Sequence, residues 1–326
     1  MKYDAPLDHD LVEALFDFWG PMFAGDSDLP RDIFLGSEIE HHRLAVYLTR
    51  REGKIVGTSA SITSHALPVL GGLGEVATQP ECRGQGIATR LCQQAVSDFR
   101  ATGGEALFLG TVNPVAARVY HRLGWRKLAG AAVMANITNG DSPETFLVEF
   151  FCEPSDVTLC TAGPVVRVPL IPLLHTPHDW QVLDANAGMY STRYHVQKSC
   201  MGLYRRYQDV VQDDCGQWFA AFAADGRVVG LSTARLHDSG RCNVDGFAHQ
   251  RFMDCWNELI QVAIDWGESQ NATTFTATLS IEDEDKQRLF ESLGFKRGQP
   301  AANFEVGGRK IESVQLQRHR VAMSCD

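Results

Sequence analysis

The chain has 326 residues, of which 44% are apolar, and its formal net charge is −10 at pH 7. This length is long for one domain and comfortable for two, and the apolar fraction is enough to fill two cores. The acidic balance argues against a nucleic-acid partner, because no basic patch offsets it.

The nine cysteines and eleven histidines are scattered along the chain. They show neither Cys-x-x-Cys nor His-x-x-x-His spacing, so we expect no metal site. The odd cysteine count favours reduced thiols over a disulfide framework. The N-terminus lacks the apolar core of a signal peptide, and no run approaches eighteen apolar residues. We therefore expect a cytoplasmic protein without a membrane span.

The first predicted elements lead to a glycine-containing turn. Residues 11–23 are apolar and aromatic, and they predict a helix that either packs in the core or lines a substrate site. Farther along, the run from Leu73 to Thr78 predicts a strand that ends at Gln79-Pro80. The turn Arg83-Gly-Gln-Gly-Ile-Ala88 follows, and an amphipathic helix extends from Gly86 to Arg100. Glycines that adopt positive φ before a helix can direct backbone N–H groups at a phosphate or pyrophosphate.

The residues around this turn exclude two common nucleotide loops. No Gly-Lys-Ser/Thr follows the turn, so it does not match a Walker-type loop. Thr89 stands where a dinucleotide fingerprint has its third glycine. The turn is instead Arg/Gln-x-x-Gly-x-Gly/Ala after an apolar strand, and it resembles the pyrophosphate loop of the GNAT superfamily, the Gcn5-related acyl-CoA N-acyltransferases.

A second motif strengthens this resemblance. The apolar run Ala106–Val112 predicts another strand, and Asn113-Pro-Val-Ala-Ala-Arg-Val-Tyr-His-Arg-Leu-Gly-Trp125 follows it. The matching GNAT segment reads Asn-x-x-Ala-x-x-x-Tyr-x-x-x-Gly-Phe, and here Trp125 is the aromatic equivalent of the last position. The resemblance is clear over about residues 40 to 135. It implies acetyl-CoA or a related acyl-CoA as the acyl donor, and no metal.

The resemblance also implies which residues meet the donor. The strand before the turn would contact it through the main chain, the turn would hold its pyrophosphate, and the asparagine would contact its pantetheine. In chain order these residues are Val76, Ala77, Thr78, Arg83, Gly84, Gln85, Gly86, Ile87, Ala88 and Asn113.

Two further residues are candidates for proton transfer. Tyr120 occupies the position of the family's thiolate-facing tyrosine, and a phenol can protonate a leaving thiolate. Tyr120 is otherwise a core residue of an amphipathic helix. Glu75 is the candidate general base, directly or through a water, and the alternative is a carboxylate that only orients the substrate. His65 and His121 remain alternative bases.

Internal repeats indicate two domains. Arg51–Gly57 is echoed by Ala224–Gly230, and Arg118–Trp125 by Arg288–Phe295. Both pairs keep the same order and nearly the same offset. We therefore predict an α+β protein with two tandem GNAT folds, each a mixed, mostly antiparallel sheet flanked by helices. The domains are predicted over residues 1–155 and 165–326, and the proline-rich junction around Glu153 to Pro172 is predicted to be a connector or a strand-edge segment rather than a helix.

The second copy differs from the first where chemistry is expected. The segment Met253–Glu258 replaces the glycine turn and places acidic side chains there, while Asp283 and Phe290 replace Asn113 and Tyr120. We predict that this copy lacks the CoA pyrophosphate loop, supports the first copy and completes its acceptor pocket.

These observations predict an acyl-CoA-dependent N-acyltransferase that transfers an acetyl group to an amine by direct attack in a ternary complex. The acceptor would be an amine-bearing small molecule or peptide. Two alternatives remain: a regulatory module that binds CoA without transfer, and another acyl-CoA enzyme on this fold, such as a decarboxylase or an O- or S-acyltransferase. The sequence leaves open the acceptor, the acyl-chain preference and the oligomeric state.

Overall fold

The computed structural model describes residues 1–24, 27–212, 215–237 and 240–320. The chain divides into two compact units. The first unit comprises Met1–Phe150, Gly163–Ile171 and Lys198–Leu203. The second comprises Phe151–Ala162, Pro172–Gln197 and Tyr204–Asp326.

The first unit contains a seven-stranded sheet in the order β1-β2-β3-β4-β5-β7-β6. Its strands are β1 (Lys2–Asp4), β2 (His42–Arg51), β3 (Lys54–Ser64), β4 (Leu70–Thr78), β5 (Ala106–Gly110), β6 (Arg126–Lys127) and β7 (Val133–Ile137). Its helices are α1 (His9–Phe23), α2 (Arg31–Phe34), α3 (Ile87–Ala101), α4 (Pro114–Arg122) and α5 (Pro143–Phe150).

One pair of strands in this sheet, β4 and β5, is parallel, and the two strands separate after three paired residues. β4 and β5 pair only from Leu70 with Ala106 to Gly72 with Phe108, whereas the other neighbours in the sheet are antiparallel. Beyond Gly72, β4 continues to Thr78 without a strand partner on that edge. The two strands therefore part and leave a wedge between their C-terminal ends.

A core cluster on the α3 side joins the elements that flank the wedge. The apolar face of α3, which includes Ile87 and Leu91, packs with Leu73 of β4 and Leu109 of β5. Tyr120 of α4 belongs to the same cluster. Because apolar residues recur at helical spacing along α3, burial of this face fixes the helix against the sheet.

The second unit contains a seven-stranded sheet in the order β15-β18-β14-β13-β12-β11-β8 and two short two-stranded sheets, β9-β10 and β16-β17. Its strands are β8 (Val157–Thr161), β9 (Val182–Asp184), β10 (Met189–Tyr190), β11 (Gly216–Ala223), β12 (Val228–His237), β13 (Arg241–Ala248), β14 (Thr274–Ser280), β15 (Lys296–Pro300), β16 (Phe304–Val306), β17 (Arg309–Ile311) and β18 (Ser313–His319). The remaining helices are α6 (Leu170–His175), α7 (Leu203–Val211), α8 (Trp256–Ser269) and α9 (Glu284–Ser292).

The two large sheets have the same topology. Read from β8, the second sheet runs β8-β11-β12-β13-β14-β18-β15, and its one parallel pair, β13 with β14, stands where β4 and β5 stand in the first sheet. The helices α3 and α8 follow the fourth strand of their sheets, and α4 and α9 follow the fifth. The predicted α+β class, with two mixed, mostly antiparallel sheets flanked by helices, is confirmed.

The proline-rich stretch contains the edge strand β8, in agreement with one of the two expectations, but it also contains the start of a helix. The helix α6 begins within it at Leu170 and includes Pro172. A proline in the first turn of a helix is tolerated because the N–H group at that position has no intrahelical acceptor. The expectation that this stretch contains no helix was therefore wrong. Among the described residues, no helix combines the length and the apolar character that crossing a membrane requires.

A buried ion pair holds part of this stretch in the first unit. The Arg167 guanidinium donates from Nε and Nη2 to the two carboxylate oxygens of Glu38, at 2.8 and 2.6 Å. Both residues are buried. Next to them, Nε2 of His42 lies 2.7 Å from the carbonyl oxygen of Pro164. Burial lowers the pKa of His42 to about 4, so the imidazole is neutral at pH 7.

Candidate active site

The glycine turn adopts the backbone conformation that the sequence predicts. Gly84 and Gly86 both have a φ of +74°, in the left-handed region that glycine enters without strain. No described atom lies within 4 Å of a Cβ built on Gly84. The exposed turn therefore offers its backbone to a ligand from the side where a side chain would otherwise stand.

The helix α3 starts directly after the turn and favours an anion there. Gly86 is its N-cap and provides no side-chain cap, and the first turn contains no acidic residue. Its free N–H groups and the positive end of its dipole therefore face the glycine turn. Two arginines beside the glycine turn were not predicted from the sequence. Arg51 donates to the Gln85 side chain at 2.6 Å, and Arg90 donates to the Gln85 carbonyl at 3.1 Å.

The strand β4 is distorted at the candidate base. Thr58 of β3 pairs with Ala77 and Ala60 pairs with Gly74, so two residues of β4, Glu75 and Val76, oppose one residue of β3. Glu75 has a φ of +50°, which is uncommon for a residue with a side chain. Because of this β-bulge, the side chains of Glu75 and Val76 lie in different surroundings. Such strained positions often occur at functional sites.

Hydrogen bonds fix the peptide at the bulge. The Thr58 hydroxyl donates to the Glu75 carbonyl at 2.7 Å, and the Trp19 indole donates to that hydroxyl at 2.8 Å. Trp19 and Thr58 are both buried. A tryptophan of α1 therefore supports the unusual backbone of β4, and residues 11–23 contribute to the core as well as to the site.

The Glu75 side chain lies in a buried polar environment that the sequence did not indicate. The Ser27 hydroxyl donates to its carboxyl at 2.8 Å. Burial is the main cause that raises the pKa of Glu75, and the charge of Asp28 also raises it, whereas Ser27 and the backbone amides of Leu29 and Asp28 lower it; the net pKa is about 7. A carboxyl group with this pKa can accept a proton near neutral pH.

Tyr120 and Glu75 have different neighbours, and no hydrogen bond joins them. Tyr120 is buried on α4, in the core cluster that also contains Ile87. The partly buried Val76 packs against this cluster. Burial holds the pKa of Tyr120 well above its usual range, so the phenol stays protonated. No described residue forms a hydrogen bond with its hydroxyl.

The remaining predicted residues surround the wedge in different ways. Asn113 is the N-cap of α4, and its side-chain oxygen accepts from the amides of Val115 and Ala116, at 2.9 and 3.4 Å. This oxygen is therefore committed to the helix. The hydroxyl of Thr78 is buried and has no partner among the described residues. The alternative bases His65 and His121 are both exposed.

The corresponding region of the second unit is built differently. A 3-10 helix, Gln250–Cys255, replaces the glycine turn and runs straight into α8. Residues 249–256 include none with positive φ. Glu258 adds a carboxylate to the first turn of α8. This end of α8 therefore has neither the left-handed turn nor the charge that suits a phosphate.

The second unit also fills its own wedge. The segment Gln181–Ala185 lies between β13 and α9: the Ala185 amide donates to Asp245 at 2.7 Å, and the Lys286 ammonium donates to the carbonyls of Val182 and Leu183, both at 2.9 Å. Lys286 also pairs with Asp245 at 2.6 Å, and both side chains are fully buried. Backbone of the same chain therefore occupies the place where the two parallel strands part.

A comparison with protein families gives a match within the first unit. Residues 11–125 match the model of the acetyltransferase (GNAT) family. This match begins within α1 and ends with the Asn113–Trp125 motif. No curated protein gave a significant match.

Several solved structures are similar to about half of the chain. A probable acetyltransferase from Staphylococcus epidermidis is 17% identical, with a TM-score of 0.41, and the match covers 51% of this chain and 100% of that one. The ribosomal-protein-S5-alanine acetyltransferase of Vibrio fischeri is 13% identical, with a TM-score of 0.41, and the coverage is 52% and 96%. A chimera of spermidine N-acetyltransferase from Vibrio cholerae is 16% identical, with a TM-score of 0.38, and the coverage is 51% and 96%.

The family match covers the elements that form the candidate site. The matched residues include β4 with its bulge, the glycine turn, the start of α3 and the motif on α4. Residues 11–125, in the first unit of this chain, form a GNAT acetyltransferase domain.

Proposed function

We propose that the first unit is an acyl-CoA-dependent N-acyltransferase that moves an acetyl group from acetyl-CoA to an amine by direct attack in a ternary complex. The observation that carries this proposal is the buried Glu75 carboxyl on the bulge of β4, beside the wedge that β5 leaves open. The family match over residues 11–125 supports acetyl-CoA as the donor.

The donor site in this proposal combines three features around the wedge. The turn Arg83–Ala88 and the start of α3 would hold the pyrophosphate, because their amides and dipole favour an anion. The unpaired edge of β4 from Val76 to Thr78 would bind the pantetheine arm through the main chain, and the unpartnered Thr78 hydroxyl lies there. Asn113 would act mainly by fixing the start of α4. Acetyl-CoA supplies an acyl group activated as a thioester.

The proton transfers in this proposal use two groups with opposite tasks. The amine nitrogen forms a bond to the acyl carbon while the bond from carbon to sulfur breaks. Glu75 accepts the proton that the amine loses, directly or through a water, since its pKa of about 7 suits a base. Tyr120 supplies a proton to the departing sulfur, since burial keeps its phenol protonated.

The second unit has a supporting role in this proposal and binds no donor. Its wedge holds its own chain, and the start of α8 has no glycine turn. In this proposal two tandem domains extend over residues 1–155 and 165–326, the second is a degenerate copy of the first, and residues 165–171 and 198–203 of the second domain belong to the first compact unit. The cytoplasm remains the proposed location.

An amine panel tests the proposed function directly. The purified protein is incubated with acetyl-CoA and one amine at a time, from alkylamines and polyamines to amino acids and short peptides, and free thiol is measured. We expect thiol release that depends on one class of amine, with the acetylated amine confirmed by mass spectrometry. Reactions without an amine correct for thioester hydrolysis. Tight binding of acetyl-CoA without release of thiol would favour the regulatory module instead.

A further inference from the structure

The Lys198–Leu203 segment belongs to the first unit, although it lies far along the chain from β4 and β5. Its backbone passes the end of β5. A Cβ built on Gly110 would lie 3.3 Å from the carbonyl oxygen of Lys198 and 3.3 Å from Cα of Ser199. The segment therefore contacts β5 where β4 has already separated from it.

Met201 extends this contact to β4. Its side chain is buried, and it lies over two glycines of the strand. A Cβ on Gly72 would be 2.5 Å from the Met201 sulfur, and a Cβ on Gly74 would be 2.3 Å from its terminal methyl group. The thioether fits there only because both positions of β4 lack a side chain. Gly74 directly precedes Glu75, so the methyl group of Met201 lies one residue from the candidate base.

Asp28 contacts the same segment, and its charge acts on the Glu75 carboxyl. A Cβ on Gly202 would be 2.4 Å from a carboxylate oxygen of Asp28, so the backbone of Gly202 lies against that side chain. The hydroxyl of Ser27, the residue before Asp28, donates to the Glu75 carboxyl at 2.8 Å, and the charge of Asp28 contributes to the raised pKa of Glu75. The segment that contains Met201 and the carboxyl of Glu75 therefore both contact the loop with Ser27 and Asp28, at the same end of β4.

We propose that Met201 is a specificity-determining residue that limits the width of the acceptor, so that the preferred acceptor is a primary amine on an unbranched chain. This inference rests on the proposed function. The thioether fills space beside the group that would deprotonate the amine, and a bulky substituent next to the nitrogen would have to displace it. Methionine is flexible and fills irregular gaps, so its removal opens space without removing a polar contact.

A selectivity ratio tests the role of Met201. We would measure kcat/KM for butylamine and benzylamine with acetyl-CoA. In Met201→Ala we expect the ratio of benzylamine to butylamine to rise by about tenfold or more, since space for added carbons changes selectivity by roughly 10- to 200-fold. Met201→Leu is the matched control, because it keeps an apolar side chain of similar volume, and its ratio should stay within about twofold of the starting value.

A double variant tests the position of the thioether. In Gly74→Ala/Met201→Ala, the new methyl group at position 74 would lie 2.3 Å from the place of the Met201 methyl group and would fill part of that space. We therefore expect the ratio to return toward that of the unsubstituted protein. If Met201→Ala does not fold, Met201→Val removes less packing and should change the ratio in the same direction.

The outcomes separate this inference from the function on which it rests. A protein that acetylates none of the amines in the panel would refute the proposed function. An active protein that already prefers benzylamine, or one whose ratio stays constant in folded Met201→Ala and Met201→Val, would overturn the role of Met201 alone.

Discussion

The unsubstituted protein should lose stability between acidic and alkaline pH because of Glu75. Replacing Glu75 by glutamine should remove this contribution to the pH dependence of the free energy of unfolding. Burial raises the pKa of Glu75 from its ordinary value of 4.5 to about 7. The folded state therefore binds this proton more tightly than the unfolded state does. The resulting stability is complete below pH 4.5 and is lost as the pH rises through 7. A difference of about 2.5 pKa units corresponds to roughly 3 kcal/mol in the free energy of unfolding.

Urea denaturation at pH 5 and pH 8.5 measures this effect. Glutamine keeps the size of the side chain and can still accept a hydrogen bond from Ser27, but it does not titrate. We expect the stability of the unsubstituted protein, minus that of Glu75→Gln, to fall by about 2 to 3 kcal/mol between these two pH values. Subtracting one protein from the other removes the contributions of groups that titrate in both. A difference that is constant with pH would refute the raised pKa.

The same variant connects stability with activity. With a true acceptor, kcat/KM of the unsubstituted protein should rise with pH through about 7, as Glu75 loses its proton. Glu75→Gln should lose this rise, and its rate should fall by roughly 10²- to 10⁴-fold, the usual contribution of a positioned base. A variant that kept both the rise and the rate would show that another group is the base.

Further predictions concern the donor, the leaving group and the first unit's buried ion pair. Tyr120→Phe should lower kcat by roughly ten- to a thousandfold and leave CoA affinity nearly intact; full activity would mean that another group protonates the sulfur. By calorimetry the protein should bind one acyl-CoA per chain, and Gly86→Leu should abolish binding because position 86 has a φ of +74° at the start of α3; two equivalents per chain, or tight binding by the variant, would contradict the site. Arg167→Met should lower the free energy of unfolding by about 3 to 5 kcal/mol in urea denaturation, because it leaves Glu38 buried without its partner, and Glu38→Gln in the same protein should restore most of the loss; an equal loss in the double variant would argue against the pair. A fragment of residues 1–155 lacks Arg167 and should be insoluble or inactive, and a soluble fragment with the full rate would contradict this.

Local patterns in the sequence predicted the parts of the site that local chemistry determines. Glycines at positions 84 and 86 predicted left-handed residues before a helix, and both adopt that conformation. The match between Arg118–Trp125 and Arg288–Phe295 predicted a repeated unit, and the two sheets have the same strand order. Turns and helix caps follow from short-range preferences, so a single sequence contains enough information for them, whereas the shared strand order was predicted only through the repeat.

Other parts of the site depend on residues that are distant in sequence. The bulge at Glu75 is supported by Trp19 and Thr58, and the environment of its carboxyl comes from the loop that contains Ser27. Nothing in the residues around position 75 indicates these partners. One usable signal was the pair of glycines at positions 72 and 74, because glycine inside a strand often marks a close approach by another part of the chain. It does not identify Met201 as the approaching residue.

The internal peptide in the wedge of the second unit has an evolutionary consequence. Parallel strands that separate expose backbone groups that need partners, and in this unit the Gln181–Ala185 segment and the Lys286 ammonium satisfy the surrounding polar groups. Reintroducing glycines into Met253–Glu258 would rebuild a phosphate turn beside a place that is already taken. Donor binding at this place would also require the peptide to leave, which would leave the buried charges of Lys286 and Asp245 without its carbonyl and amide groups. Packing therefore opposes donor binding in the proposed degenerate copy, and substitutions there have to keep the internal peptide in place.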